Sequence, residues 1–453
     1  MTIDSQQDYD QFFKDNGDSD VILDCIGKDD RYHPAADTAC LLLVKNIKTY
    51  KYYSFFINHP DGIYHIDKNK LINDFNNLNV KKWVFDKKKF IQLLNINNLL
   101  DYNLIEYLET GEIKEYSEYD SVAHVFLRQS LSMYSDINYV IPLSIHNEKF
   151  DKMTDSVANK LQSVKLDPCF TKLNTSTIEN LTILESNGLK VDVQLFNQFF
   201  GEKKLKIKND FVYTQYNLFT STGRPSNRFG GINYAALKKD NGCRSCFISR
   251  YGKQGKLFMI DYTAYHPHLI AELVNYQLPD NTYEYLGKYY FNKTELTDEE
   301  IKAAKNLTFQ LMYGNVKDEY KNIPYFVKIQ NYITNRWDYF KTYGYIETPI
   351  YKRQITSNNI QEPNSTKLFN YILQASETEY NMEMLTLVNT YLQMYNKLTK
   401  PILYTYDSVL FDMYANDGID TLKQIKKLMA AGGRFPVKCY VGDNYNEMSV
   451  ISI

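Results

Sequence analysis

Residues 257–273, LFMIDYTAYHPHLIAEL, constrain this chain more than any other stretch. The first five, LFMID, form a short apolar run that ends in a carboxylate. That is the pattern of a buried strand carrying Asp261 to its end. The residues that follow, up to 273, have the mixed apolar spacing of a helix. An Asp at a strand end is by itself an ordinary helix cap, so its meaning rests on two later stretches.

The first is 301–315, IKAAKNLTFQLMYGN. Lys305, Phe309 and Tyr313 fall at i, i+4 and i+8 and share one helical face. Gly314 suits a helix terminus. An amphipathic core helix is the plainest reading, but a core stripe rarely carries a cation in mid-face. The second is 401–413, PILYTYDSVLFDM. Two apolar strands flank Tyr406-Asp407-Ser408, the pattern of a hairpin with a carboxylate at its tip. An ordinary Asp-containing turn would look similar.

Taken in order, the three stretches resemble the polymerase motifs of family A DNA polymerases, the bacterial DNA polymerase I family. Asp261-Tyr262-Thr263 is similar to the first motif, DYSQIELR. Lys305-xxx-Phe309-xxx-Tyr313-Gly314 is similar to the second, KxxxFxxxYG, and Tyr406-Asp407-Ser408 to the third, HDE. The ordered set is far more specific than any one motif. Smaller matches extend it. Residues 212–224, ending in Thr222-Gly223-Arg224, resemble VHTxxxxxxTxTGR; residues 344–353 resemble GYVETLxGRR; Asn370-xxx-Gln374 resembles NAPMQ; and 441–445 resemble GxNW.

The resemblance implies an α+β / α/β chain: a ribonuclease-H-like exonuclease-type domain in 1–145, then a right-hand polymerase domain in 146–453. Within the latter it implies a thumb remnant and the lead-in to the palm at 146–210, palm at 211–280, fingers at 281–366 and palm again at 367–453. The implied activity is template-directed addition of dNTPs to a primer 3′ end. Asp261 and Asp407 would hold two Mg²⁺ ions, for which carboxylates are suitable hard ligands. Lys305, Phe309, Tyr313, His266 and Tyr262 would meet the nucleotide, and Arg224, Lys302, Arg353, Asn370 and Gln374 the primer–template.

The length of 453 residues suits two or three domains. A formal net charge of −2 means that any nucleic-acid surface must come from local clusters. Forty Tyr, with abundant Asn, Lys and Ile, point to an AT-rich coding genome. No apolar run approaches membrane-spanning length, and residues 1–20 are polar and acidic, unlike a signal peptide. The expected location is the cytoplasm, that of the host cell if the gene belongs to a phage. Six scattered Cys suggest reduced thiols. Cys243 and Cys246 with His266 and His268 have the wrong spacing for the usual zinc fingers.

Residues 21–25, 39–44 and 52–57 read as successive strands, and 82–94, 99–108 and 119–133 as later strand or helix segments. This order resembles the family's 3′–5′ exonuclease domain. Its opening Asp-x-Glu is Asp24-Cys25-Ile26 here, so the Glu is lost. Its closing Tyr-xxx-Asp is matched by Tyr116 and Asp120. Its middle Asn-xxx-Asp falls on 87–91, which lacks both residues. A two-metal nuclease needs several carboxylates. The expectation is a degenerate domain kept as scaffold, with Asp86 or Asp101 as the alternative ligands.

Between Asp192 and Val212 there is no room for the family's long thumb helices. Lys203, Lys204, Lys206 and Lys208 are a solvated run or a phosphate-contacting remnant. The implied form is compact and phage-like, with an accessory protein or a second copy replacing the thumb. Three departures stand out. Ile301, beside Lys302, replaces a family Arg; His266 replaces the Glu that crowds the sugar 2′ position; Ser408 replaces the Glu of motif three. YDS is also similar to the HDS of single-subunit RNA polymerases. The alternatives are therefore a polymerase with relaxed sugar selectivity making RNA, or an inactive nucleic-acid-binding relic.

Overall fold

The computed structural model describes residues 1–111, 122–133, 136–201, 207–227, 232–313 and 316–453. Tyr116, Asp120, Lys203, Lys204, Lys206 and Gly314 lie outside the described residues. The chain forms two compact units, Met1–Thr182 and Ile183–Ile453.

In the first unit β1 (Val21–Gly27), β2 (Ala39–Asn46), β3 (Tyr52–Phe56), β4 (Lys82–Val84) and β5 (Leu99–Asp101) make one sheet in the order β3-β2-β1-β4-β5. β1, β2 and β3 are antiparallel neighbours, and β4 and β5 add in parallel. The expected strands at 21–25, 39–44 and 52–57 are β1, β2 and β3. Apolar runs without alternation make β1 and β2 buried along almost their whole length. Around the sheet lie α1 (Gln6–Asn16), α2 (Lys68–Asn77), α3 (Lys87–Leu93), α4 (Tyr102–Thr110), α5 (Val122–Ser130), α6 (Ile137–Val140), α7 (Leu143–Leu161) and α8 (Pro168–Lys172). Local chemistry sets the starts of several: Asp67, Asp86 and Asp101 accept from the backbone N–H groups of Lys70, Lys89 and Leu104.

The first unit runs well past 145, the boundary expected from sequence. α7 buries Phe150, Met153 and Val157. Its Asp151 and Asp155 ion-pair with Lys45 of β2, whose side chain is only 1% exposed. An apolar face and the neutralisation of a buried ammonium together fix α7 in this unit.

Residues 178–200 hold two helices, α9 (Ile178–Asn187) and α10 (Val193–Phe200). Gly188 separates them with φ +60°, and a side chain there would meet Tyr213 at 2.9 Å. β6 (Leu189–Lys190) follows and pairs with β7 (Phe211–Val212). Asp192 caps α10 by accepting from Leu195 N–H. The span between Asp192 and Val212 thus holds one eight-residue helix among its described residues, roughly 12 Å long.

After the small hairpin β8 (Tyr216–Asn217) and β9 (Ser226–Asn227) come β10 (Gly255–Tyr262) and α11 (Tyr265–Leu273), the strand and helix expected at 257–273. Then α12 (Thr282–Phe291), α13 (Asp298–Tyr313), α14 (Pro324–Tyr343) and the hairpin β11 (Tyr345–Glu347)–β12 (Gln354–Thr356) form a helical layer. The long α15 (Ser365–Met394) leads to β13 (Lys400–Tyr404), β14 (Ser408–Tyr414), α16 (Ile419–Met429), β15 (Val437–Gly442) and β16 (Met448–Ile451). These last strands and β10 form an antiparallel sheet in the order β13-β14-β10-β15-β16.

One buried ion pair ties this sheet together. Asp412 of β14, 0% exposed, accepts from Ser249 Oγ at 2.6 Å and from Arg250 Nε at 2.8 Å and N–H at 3.0 Å. Arg250 also donates to Gly188 O at 2.9 Å. Removing one member strands the other. Asp412→Ala is expected to destabilise the second unit by about 3–5 kcal/mol, read by urea unfolding followed through its tryptophan, Trp337. A midpoint within error of the wild type would mean that the clamp contributes nothing.

Candidate active site

The register of the second sheet brings two carboxylates to one place. Asp261 lies opposite Ser408 on β14 and Lys438 on β15. Asp407 is the residue before Ser408, and Tyr262 N–H donates to its carbonyl at 2.9 Å. The β13–β14 turn is held by Thr405 N–H to Ser408 O at 2.9 Å and by the Thr405 and Ser408 hydroxyls, 2.5 Å apart. Ser408, standing where the resembled motif has Glu, is thus buried and engaged within its own turn.

Left-handed residues shape both edges of the site. Tyr406, just before Asp407, has φ 73°, and Ala264, at the start of α11, has φ 50°. Each costs on the order of 1–2 kcal/mol for a non-glycine residue. Asn381 of α15 compensates at Tyr406: fully buried, its Nδ2 donates to Tyr406 O at 2.8 Å and to Tyr404 Oη at 3.1 Å, while its Oδ1 accepts from Tyr265 Oη at 3.0 Å.

The electrostatics follow from the crowding. Burial and then the charge of Asp407 push the Asp261 carboxyl up to about 6, against the pull of Lys305 and Lys438. Burial and then Glu377 raise Asp407, against Arg224 and His266. Asp407 nevertheless keeps an exposed edge at the tip of the turn.

α13 presents its stripe as expected. Lys305 is exposed, Phe309 and Tyr313 are half-buried, and the two rings are parallel to within 4° at 6.2 Å. Lys302 is exposed one turn earlier. Tyr313 hydrogen-bonds through its hydroxyl to His266 Nδ1, and His266 Nε2 lies 3.1 Å from Glu377 Oε1. Glu377 of α15, 1% exposed, also pairs with Arg224 Nε at 2.8 Å. The Arg224 guanidinium lies over the Tyr406 ring at 3.9 Å. Asn370 and Gln374, four apart on α15, are partly exposed, and Asn370 Oδ1 has no hydrogen-bond partner among the described residues.

Two expected contacts point inward. Tyr262 is 5% exposed, stacked on Tyr265 at 4.0 Å, and its hydroxyl donates to Met429 O at 2.8 Å. Its side chain belongs to the core beneath the sheet and is closed to a nucleotide. Arg353 is 3% exposed and donates to Thr222 O at 2.6 Å. It props the Thr222-Gly223-Arg224 loop from behind, where a side chain on Gly223 (φ +76°) would meet it at 3.1 Å. Sequence reading missed Glu377, Asn381 and Lys438. Lys438 comes beside Asp261 through the pairing at the start of β15, which local sequence does not announce. Cys243 and Cys246 donate their thiols to Lys238 O and Cys243 O, and His268 meets Thr282 Oγ1 at 3.0 Å.

The first unit has its own acidic cavity, about 190 Å³, lined by Asp24, Asp86, Lys89 and Lys149 among apolar groups such as Phe85 and Phe90. Burial alone would lower the Lys89 ammonium, yet Asp24, Asp30 and Asp86 together hold it above its ordinary value. Asp86 is also the cap of α3. Asp101 is buried, accepts from Lys87 N–H at 2.8 Å and Leu104 N–H at 3.2 Å, and burial pushes its carboxyl up to about 7. Both carboxylates thus already serve as helix caps. No cluster of three metal-ligating side chains occurs among the described residues, and Asp120, the other expected carboxylate, lies outside them. The expected outcome is no 3′–5′ degradation of a labelled single strand in Mg²⁺ or Mn²⁺ without dNTP. Degradation that survives in Asp407→Asn and disappears in Asp24→Ala would show a working nuclease.

The raised Asp261 carboxyl also predicts a pH effect. A folded-state carboxyl that keeps its proton up to about 6, against about 3.9 when unfolded, favours the fold at acid pH and costs stability as pH rises through that window. In chelator, Asp261→Asn should therefore be more stable than the wild type at pH 8 by about 1–2 kcal/mol, allowing for solvent screening. The gap should close towards pH 4.5, as measured by urea unfolding at both. An equal difference at the two pH values would show that the carboxyl is not crowded.

No family model and no curated protein matches the sequence. Among solved structures, the chain is similar to the POL domain of Pol1 from M. smegmatis in complex with DNA primer-template and dNTP, with a TM-score of 0.69, 13% identity, and coverage of 96% of this chain and 97% of that one. At that identity the likeness is one of fold, and it spans both compact units.

Proposed function

We propose that this chain is a template-directed DNA polymerase that adds dNTPs to a primer 3′ end. The observation that carries the reading is the convergence of Asp261 and Asp407 from adjoining strands, faced by the Lys305–Phe309–Tyr313 stripe of α13. The similar fold, solved with primer-template and dNTP, supports it.

Two adjoining carboxylates, each with a raised proton affinity, fit divalent cations, which neutralise both with hard oxygen ligands. Asp261 and Asp407 would hold two Mg²⁺ ions. When bound, such ions activate the primer hydroxyl and offset the charge of the leaving pyrophosphate. The chain's own residues supply the rest. Lys305, exposed and near enough to Asp261 to favour its charged form, meets the triphosphate as a point charge. Phe309 and Tyr313 pack against sugar and base, with His266 at the end of the stripe. Arg224, Asn370 and Gln374 line the primer–template side, the two amides meeting minor-groove acceptors common to all base pairs. Arg353 serves by shaping the Arg224 loop, and Tyr262 by packing beneath Asp261.

The N-terminal sheet, with three antiparallel strands continued by two parallel ones, supports a ribonuclease-H-like domain whose metal chemistry is lost and whose Lys89 neutralises the vacated acidic residues. The short span of α10 supports a reduced thumb. With a formal net charge of −2 the chain has no global field to hold DNA, so retention of product would fall to an accessory protein or a second copy. No described helix is long and apolar enough to cross a membrane. A compact polymerase of this kind suits phage or plasmid-type replication.

Primer extension in Mg²⁺ with a DNA trap tests the reading. The wild type should add a few nucleotides per encounter. Asp261→Asn and Asp407→Asn should lose extension by at least about a thousandfold while still binding primer–template, because losing a metal ligand removes transition-state stabilisation and not phosphate contacts. Full extension by either variant would overturn the assignment. Long trap-resistant products from the chain alone would overturn the need for a partner.

A further inference from the structure

Glu377 is an unusual residue to find where it is. Burying a carboxylate costs several kcal/mol unless its partners are close and well placed, and an apolar residue of the same volume would commonly serve the fold as well or better. Glu377 is 1% exposed in the middle of α15. Its partners are not core groups. Arg224, 28% exposed, lies at Nε–Oε2 2.8 Å with Nη2 3.4 Å from Oε1, and His266, 14% exposed, lies 3.1 Å from Oε1. A buried anion thus stands behind two side chains that reach the open face.

Arg224 matters because of where else it could go. Its guanidinium is always charged and already lies over the ring of Tyr406, the residue next to Asp407. Among the described residues its ion pair is with Glu377, with none to Asp407, although Asp407 feels the charges of both. A second carboxylate therefore competes for this cation at close range. If Arg224 paired with Asp407, it would neutralise a group that the proposed function needs for a divalent ion.

We propose that Glu377 is a positioning residue that holds Arg224 away from Asp407 and so keeps the Asp261–Asp407 pair open for divalent cations. This deepens the reading of the same site and rests on it. His266 completes the arrangement. Its Nε2 faces a carboxylate and so carries the proton, which leaves Nδ1 to accept from Tyr313 Oη. Glu377 thereby also anchors the end of α13 through His266, and Arg224 is held on two sides, by Glu377 and by the Tyr406 ring.

The test measures Mn²⁺ binding to the full chain without DNA, by calorimetry and by the shift in melting temperature, alongside the Mg²⁺ concentration that half-saturates primer extension. In Glu377→Ala the freed Arg224 should turn to Asp407, weakening Mn²⁺ binding and raising the Mg²⁺ requirement by roughly tenfold, the scale of losses when a group behind a metal ligand is removed. Arg224→Ala combined with Glu377→Ala should restore Mn²⁺ affinity to the wild-type value, because the competing cation is gone. A role in folding alone would give no such rescue. Should Glu377→Ala fail to fold, Glu377→Gln and its Arg224→Ala double variant carry the same comparison, since the amide keeps the shape and loses the charge. Wild-type Mn²⁺ affinity in the Glu377 single variants, or a double variant as weak as the single, would overturn the proposal. If instead the wild type shows no Mn²⁺ binding that Asp261→Asn abolishes, the reading of the site itself fails, and this proposal with it.

Discussion

Two like charges forced together by strand register are the constraint on which the second unit depends. Antiparallel pairing sets Asp261 opposite Ser408, and the turn then has nowhere to put Asp407 except beside it. Neighbouring features offset that repulsion or fix its geometry. Lys438 comes from the strand on the other side, and Lys305 from α13. Asn381 holds the strained Tyr406 carbonyl. Arg224 brings a cation near the tip without pairing with it. None of these neutralises the pair fully, and the Asp261 carboxyl stays well above its ordinary range. A fold selected only for stability would have placed an ammonium between the two.

That alternative is what the first unit adopts. Its β1 carries a carboxylate at mid-strand, Asp24, with Asp86 lining the same cavity, and there a lysine from the chain, Lys89, stands beside them. The two units thus treat acidic clusters in opposite ways. One supplies its own cation and is electrostatically closed. The other leaves two carboxylates short of positive charge, at a cost in stability.

Much of this was legible in the sequence where local pattern decides the structure. The apolar runs around Asp261 and Asp407 became β10 and the β13–β14 hairpin, and the Lys305–Phe309–Tyr313 spacing became one face of α13. What stayed hidden depends on the partner and not on the pattern. Tyr262 and Arg353 sit in motif-like positions, yet the first turns down to Met429 O and the second back to Thr222 O. Strand and loop sequence do not reveal which face a long side chain will choose. Glu377 and Asn381 lie on a helix so thoroughly buried that amphipathic spacing, the usual guide, is absent. The boundary near 182 was hidden because α7 is amphipathic, and only the Lys45 pairing with Asp151 and Asp155 says which core its face joins. The break at Gly188 did have a local signal, a glycine within a helical pattern.

The abundance of tyrosine has a structural use beyond any bias in coding. Around the sheet of the second unit, several tyrosines fill the core with their rings and place their hydroxyls on backbone or amide groups. Tyr216 Oη donates to Tyr404 O and accepts from Tyr404 N–H, both at 2.8 Å; Tyr262 reaches Met429 O, Tyr265 reaches Asn381, and Tyr325 reaches Pro267 O at 2.9 Å. Phenylalanine would bury similar area without these directional bonds. A buried hydroxyl contributes only when its partner is in place, and leaving it unmet costs about 1–3 kcal/mol. Each such tyrosine therefore penalises the wrong rotamer or register more than it rewards the right one. That is the property needed beneath Asp261 and Asp407, where a shift of one residue in β14 would move Asp407 away from the pair. The polar core specifies a position, and the position is what lets two carboxylates act as one site.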